Sequence, residues 1–95
     1  MKFISAFSVF FAAVSAQRFE AYSEADYQGQ TQVITQEGWF YLTPAANSYR
    51  FDSDGGKWAF KAPAGGTASC GGDEDVPSVA SPLISVEIAP AADFC

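Results

Sequence analysis

The chain has 95 residues, no histidine, two cysteines and a formal net charge of −6. That length reads as one domain, and the acidic balance repels phosphate backbones and anionic lipid heads, which argues against nucleic-acid binding and against electrostatic attack on membranes. The missing histidine removes the usual general base and the commonest metal ligand, leaving no Ser-His or Cys-His nucleophile and no zinc site to build.

Residues 1–16 read as an export leader. Lys2 gives a minimal positive start, residues 3–14 form an apolar run, and Val14, Ser15 and Ala16 place small residues before a cleavage point. The run is too short to cross a bilayer. Its competing reading is a buried N-terminal strand or helix. Cleavage would leave a single domain of 79 residues, 17–95, with Gln17 first and free to cyclise. Without Lys2, four bases remain against eleven acids, a net charge of −7. In an exported chain the isolated pair Cys70 and Cys95 is expected to form one disulfide. Closing a loop of about 26 residues stabilises by about 3–4 kcal/mol on the chain-entropy estimate.

From residue 17 on, no stretch holds a helical period. Short runs of β-branched and aromatic residues alternate with Gly, Pro, Asp and Asn, the pattern of an all-β sandwich. Residues 18–23 predict a strand with Phe19 and Ala21 on one face and Glu20 and Tyr22 on the other. Residues 30–35 predict a second. Residues 39–42 read as a turn of helix or an aromatic loop, and 48–52 as a strand presenting Tyr49 and Phe51. Residues 52–56 suit a tight hairpin turn because Asp-Gly tolerates positive φ. Residues 57–62 follow as a strand with Trp58 and Phe60 on one side and Lys57, Ala59 and Lys61 on the other. Pro63 stops it. A short strand at 67–70, a loop over 71–82 and a clear strand at 83–88 complete the reading.

Several of these residues fall into one spaced pattern. Phe19-x-x-Tyr22-x-x-x-x-Tyr27-x-Gly29 is followed by Ser48-Tyr49-Arg50-Phe51 and then Gly56-Lys57-Trp58. The pattern resembles a βγ-crystallin Greek-key motif over about 45 residues, 17–62. Residues 63–95 resemble a second, degenerate copy, with Ser85 matching Ser48. The resemblance implies a Greek-key β-sandwich of seven to eight short antiparallel strands. In it Gly29 takes the left-handed backbone of a folded hairpin, Tyr22 and Tyr27 stack beneath that hairpin, the Ser48 hydroxyl bonds its backbone, and Trp58 joins the core.

Many microbial members of that family bind calcium through acid or amide residues a few positions before the Ser. Here those positions hold Thr43 and Pro44 in the first motif and Ala80, Ser81 or Pro82 in the second. Calcium needs six to eight oxygen ligands, so the expectation is no metal and no cofactor. The segment Asp52-Ser53-Asp54-Gly55 opens like an EF-hand loop but has Gly56 and Pro63 where ligands belong, and a turn accounts for it better.

Two surfaces remain as candidates for recognition. Trp39, Phe40 and Tyr41 cannot all enter one core, so at least one reaches solvent or an edge, where exposed aromatics mark binding patches. The competing reading is a plug for the open end of the sandwich. Asp73, Glu74 and Asp75 are either a solvated acidic run or a contact for a basic partner. The expected protein is therefore a secreted, monomeric, non-enzymatic binding domain, acting as an effector or antimicrobial factor on an extracellular protein or glycan. A proteinase inhibitor presenting residues 64–77 and a calcium-stabilised matrix protein are the alternatives.

Overall fold

The computed structural model describes residues 16–63 and 67–95; residues 1–15, which hold all but the last position of the expected leader at 1–16, and residues 64–66 lie outside them. Among the described residues eight strands and one helical turn follow in order: β1 (Arg18–Glu24), β2 (Gln28–Ile34), β3 (Gly38–Ala46), β4 (Ser48–Asp52), β5 (Trp58–Ala62), β6 (Thr67–Ser69), β7 (Glu74–Val76), β8 (Leu83–Pro90) and α1 (Ala91–Phe94). All pairings are antiparallel. Sheet I has the order β2-β1-β4-β7 and sheet II the order β3-β8-β5-β6. The two halves of the chain follow one rule: three of four strands stay in their own sheet, and the third strand crosses to the other. Replacing β1–β4 by β5–β8, and the reverse, turns one sheet order into the other.

Strand alternation places the core between the sheets. Phe19, Ala21, Tyr49 and Phe51 of sheet I face Leu42, Ala46, Phe60, Ala62, Leu83, Val86 and Ile88 of sheet II. Phe60 is the meeting point of the rings, edge-on to Phe19 at 5.0 Å, to Phe51 at 4.9 Å and to Tyr49 at 5.3 Å, while Phe19 stacks on Tyr49 at 5.4 Å. Tilted aromatic pairs at these separations add to the hydrophobic gain of burying them. Trp58 is partly buried and packs against this cluster.

Four sequence expectations need correction. Residues 39–42 belong to β3: Trp39 and Tyr41 point out while Phe40 and Leu42 point in, and the ladder that fixes this comes from β8, more than forty residues away. Residues 52–56 do not close a hairpin, because β4 and β5 lie in different sheets. Local bonds shape that crossing: the Ser53 hydroxyl accepts from Gly56 N at 2.9 Å, and Trp58 N donates to the Ser53 carbonyl at 3.0 Å. The expected loop at 71–82 contains β7, paired to β4, since its acids find partners there. Ala59, assigned to the solvent side, is fully buried, because α1 packs back on β5.

That helical turn is held at both ends. Ala91 N donates to the Lys57 carbonyl at 2.9 Å, and Cys95 is bonded to Cys70 across a Cα separation of 5.9 Å. Between them, Phe94 lies under the Lys61 ammonium at 4.4 Å. The sandwich edge is closed differently. Gln32 of β2 reaches across to β3, its Oε1 accepting from Thr43 N at 3.0 Å and its Nε2 donating to the Pro44 carbonyl at 2.9 Å. One side-chain amide thus does for the two sheets what a backbone pair does within one.

Candidate functional site

The β1–β2 turn shows how the singled-out residues at 22–29 and 48 come together. Asp26 and Tyr27 both have left-handed backbones, at φ 59° and 61°, a conformation that costs an L-residue about 1–2 kcal/mol. The contacts around Tyr27 offset it. Its N–H donates to the Ser48 hydroxyl at 3.0 Å, its ring meets Tyr22 edge-on at 5.5 Å, and the Arg50 guanidinium lies over the ring, 4.0 Å from its centre. The Ser48 hydroxyl in turn donates to the Glu24 carbonyl at 2.7 Å. At Gly29, φ is +84° and any Cβ would collide with the Ser23 hydroxyl, which accepts from Gln30 N at 2.8 Å. Neighbouring Asn47 donates to the Tyr22 and Ser23 carbonyls, each at 2.8 Å. These residues all serve the turn's shape. Ser85 is buried on β8; the hairpin it would hold by analogy with Ser48 includes residues 64–66, outside the described set.

The acidic segment is tied into the fold. Asp73 accepts from both the backbone and the hydroxyl of Ser53, at 2.8 and 2.7 Å, and these bonds hold its carboxyl below the ordinary aspartate range. Glu74 accepts from the Tyr49 hydroxyl at 2.6 Å. Asp75 stands opposite Arg50 on the exposed face. Of the three acids, two therefore secure β7 to β4 rather than wait for a partner. The same pairing bears on residues 64–77 as a protease-facing loop: 67–69 and 74–76 are strand.

Asp75 does border a shallow cleft that the sequence reading missed. Arg18, Glu20, Arg50, Phe51, Asp52 and Asp73 complete it, around a volume of about 280 Å³. The strand phase of 18, 20, 50 and 52 was legible, but their adjacency depends on the β1–β4–β7 register. Within the cleft Glu20 accepts from Tyr22 at 2.6 Å and pairs with Arg18. The Tyr22 hydroxyl, then Arg18, pull the Glu20 carboxyl below its ordinary pKa, and the same bond raises that of Tyr22. Arg18, Glu20 and Arg50 are thus largely occupied with neighbours.

The aromatic segment is different. Trp39 is 53 % exposed and Tyr41 71 % exposed, on the outer face of sheet II, with ring centres 5.0 Å apart and planes tilted by 54°. Phe40 points the other way and packs against the core. Across the ladder, Glu87 stands opposite Trp39 and Ser85 opposite Tyr41; Lys61 stands opposite Glu87 on the next strand. Directly paired residues share a face, so the two open rings share theirs with the Glu87 carboxylate and, one strand further on, with Lys61, whose ammonium lies over Phe94. The plug reading of the three aromatics fails for Trp39 and Tyr41, which lie on a sheet face and not between the sheets. The sequence marked these rings; it had no signal for Glu87 and Lys61 on the same face.

Chemically this surface can stack and hydrogen-bond. Among the described residues no group of three or more His, Cys, Asp or Glu is placed to hold a metal ion. Thr43 and Pro44, at the calcium-ligand positions of the resembled family, are the residues that Gln32 clasps. No helix among the described residues is long and apolar enough to cross a membrane. No protein-family model, no curated protein and no solved structure matches the chain.

Proposed function

We propose that this is an exported, non-enzymatic βγ-crystallin-like domain that recognises an extracellular glycan through the Trp39–Tyr41 face, as an effector or antimicrobial factor acting on another cell. The Greek-key assignment draws support from the strand order, in which the third strand of each half crosses to the opposite sheet, and from Ser48 binding the folded hairpin.

The observation that carries the binding role is the pair of open rings at 53 % and 71 % exposure. Exposed large aromatics lose favourable burial, so a fold retains them against its own stability unless they meet something. Their surroundings favour a sugar over a protein. A stable protein interface covers about 800 Å² per partner around an apolar centre. Here two tilted rings stand across the ladder from Glu87 and Ser85, an arrangement suited to the apolar face and hydroxyl edge of a pyranose.

The experiment is a glycan array and cell-wall polysaccharide pull-down with the secreted protein, repeated with a Trp39→Ala/Tyr41→Ala variant. Loss of two stacking anchors should weaken binding by roughly thirtyfold or more, while the melting temperature stays close to that of the parent, as expected for surface positions. Capture of a protein and no glycan would replace the sugar reading with a protein partner. Absence of any target, or binding that survives the double substitution, would overturn the assignment of this face.

A further inference from the structure

Gln17 immediately precedes β1, in phase with the inward residues Phe19 and Ala21. It is 1 % exposed. Its Nε2 donates to the Ile34 carbonyl over a long 3.4 Å, and its Oε1 is buried with no hydrogen-bond partner. An orphaned buried acceptor costs about 1–3 kcal/mol. An apolar side chain of similar length would occupy the end of the core without that cost.

Cleavage after Ala16 changes the chemistry of this position. The new terminus would bring five N–H donors, three on the α-ammonium and two on the amide, to a residue whose side chain meets one acceptor, Ile34 O. A buried unpaired charge is far more costly than a neutral group. We propose that Gln17 is a modification site: once the leader is removed, it closes into a pyroglutamyl lactam. The lone pair of the neutral α-amine attacks Cδ, an N–Cδ bond forms, and the Cδ–Nε2 bond breaks. Nε2 leaves as ammonia with the proton released by the α-nitrogen. No oxidant or cofactor enters. The product keeps one N–H and one carbonyl and carries no charge, so it suits the end of the core, where the Gln17 side chain is buried, better than an α-ammonium does.

The proposal rests on the leader reading, and the two fail separately. The full chain is expressed in a secreting host, and the protein from the medium is analysed by intact mass and end-group sequencing. The expected result is a chain beginning at residue 17, lighter by one ammonia and blocked to sequencing until a pyroglutamyl peptidase acts on the denatured protein. A chain beginning at 17 with a free α-amine overturns the lactam and spares the leader. A chain that keeps residues 1–16, or begins elsewhere, overturns both. The variant Gln17→Asn keeps an amide but is too short to form the five-membered ring, so it should emerge unblocked and melt at a lower temperature. A blocked Gln17→Asn terminus would assign the block to other chemistry and overturn the proposal.

Discussion

Removing the Ser48 hydroxyl leaves two backbone groups without their partner, the Tyr27 N–H and the Glu24 carbonyl. Because Ser48 is fully buried, water cannot readily replace it, and Ser48→Ala should destabilise the domain by about 2–4 kcal/mol, read from denaturant midpoints at constant slope. Glu20 and Asp73 contribute to the response to acid. Both have folded pKa values lowered by hydrogen bonds, Glu20 mainly from Tyr22 and Asp73 from Ser53. Their contributions are therefore present above the ordinary carboxylate pKa and are lost as pH falls from about 4 through the lowered folded values. Tyr22 works in the opposite sense: its raised pKa means its contribution is complete below about pH 10 and is lost as pH rises beyond. Tyr22→Phe should soften both limbs of a stability–pH profile, leaving the Asp73 part of the acid limb in place.

Between elements, the residue that joins the sheets at their open edge is a glutamine that nothing in the sequence singled out. Gln32→Ala should lower stability by about 1 kcal/mol, since its two bonds are solvent-exposed,. It should also speed hydrogen exchange at the Thr43 amide without affecting β1–β4 amides. Strands β1 and β4 were legible because buried apolar residues recur at every second position, Phe19 and Ala21 in one and Tyr49 and Phe51 in the other, and alternation is a local property; β8 was legible as a strand from its β-branched residues, but its burial breaks the alternation, with Leu83, Ser85, Val86 and Ile88 inside and Ile84 exposed. Strand β3 was less so, although its aromatics alternate too, because three rings in a row read equally well as a loop. Strand β7 was hidden for a firmer reason. The segment Glu74–Val76 has two acids and no alternating apolar pattern, and it is strand only because β4 offers its backbone edge and the Tyr49 hydroxyl.

For the molecule as a whole, the single disulfide closes the surface that the sheets leave open around α1. Replacing Cys70 and Cys95 together by Ala should cost about 3–4 kcal/mol on the chain-entropy estimate. In a domain this size that lowers the melting temperature by roughly 15 °C, and it should open α1 to exchange before the sheets unfold. The all-β character could be read along the chain, because it depends on residue type at short and regular spacing; the pairing of the two cysteines came from the expectation of export, and the roles of Tyr27, Gly29 and Ser48 in the turn from the family resemblance. Which faces meet could not be read along it. The crossing of β3 and β7 between sheets, the placing of Glu87 opposite Trp39 and the cleft around Arg50 all follow from register between strands distant in sequence. A strand's own residues say which side is apolar, but its partner is chosen by the packing of the whole sandwich. For the three aromatics at 39–41, composition required that at least one face outward; only the β3–β8 ladder selected Trp39 and Tyr41 and turned Phe40 into the core.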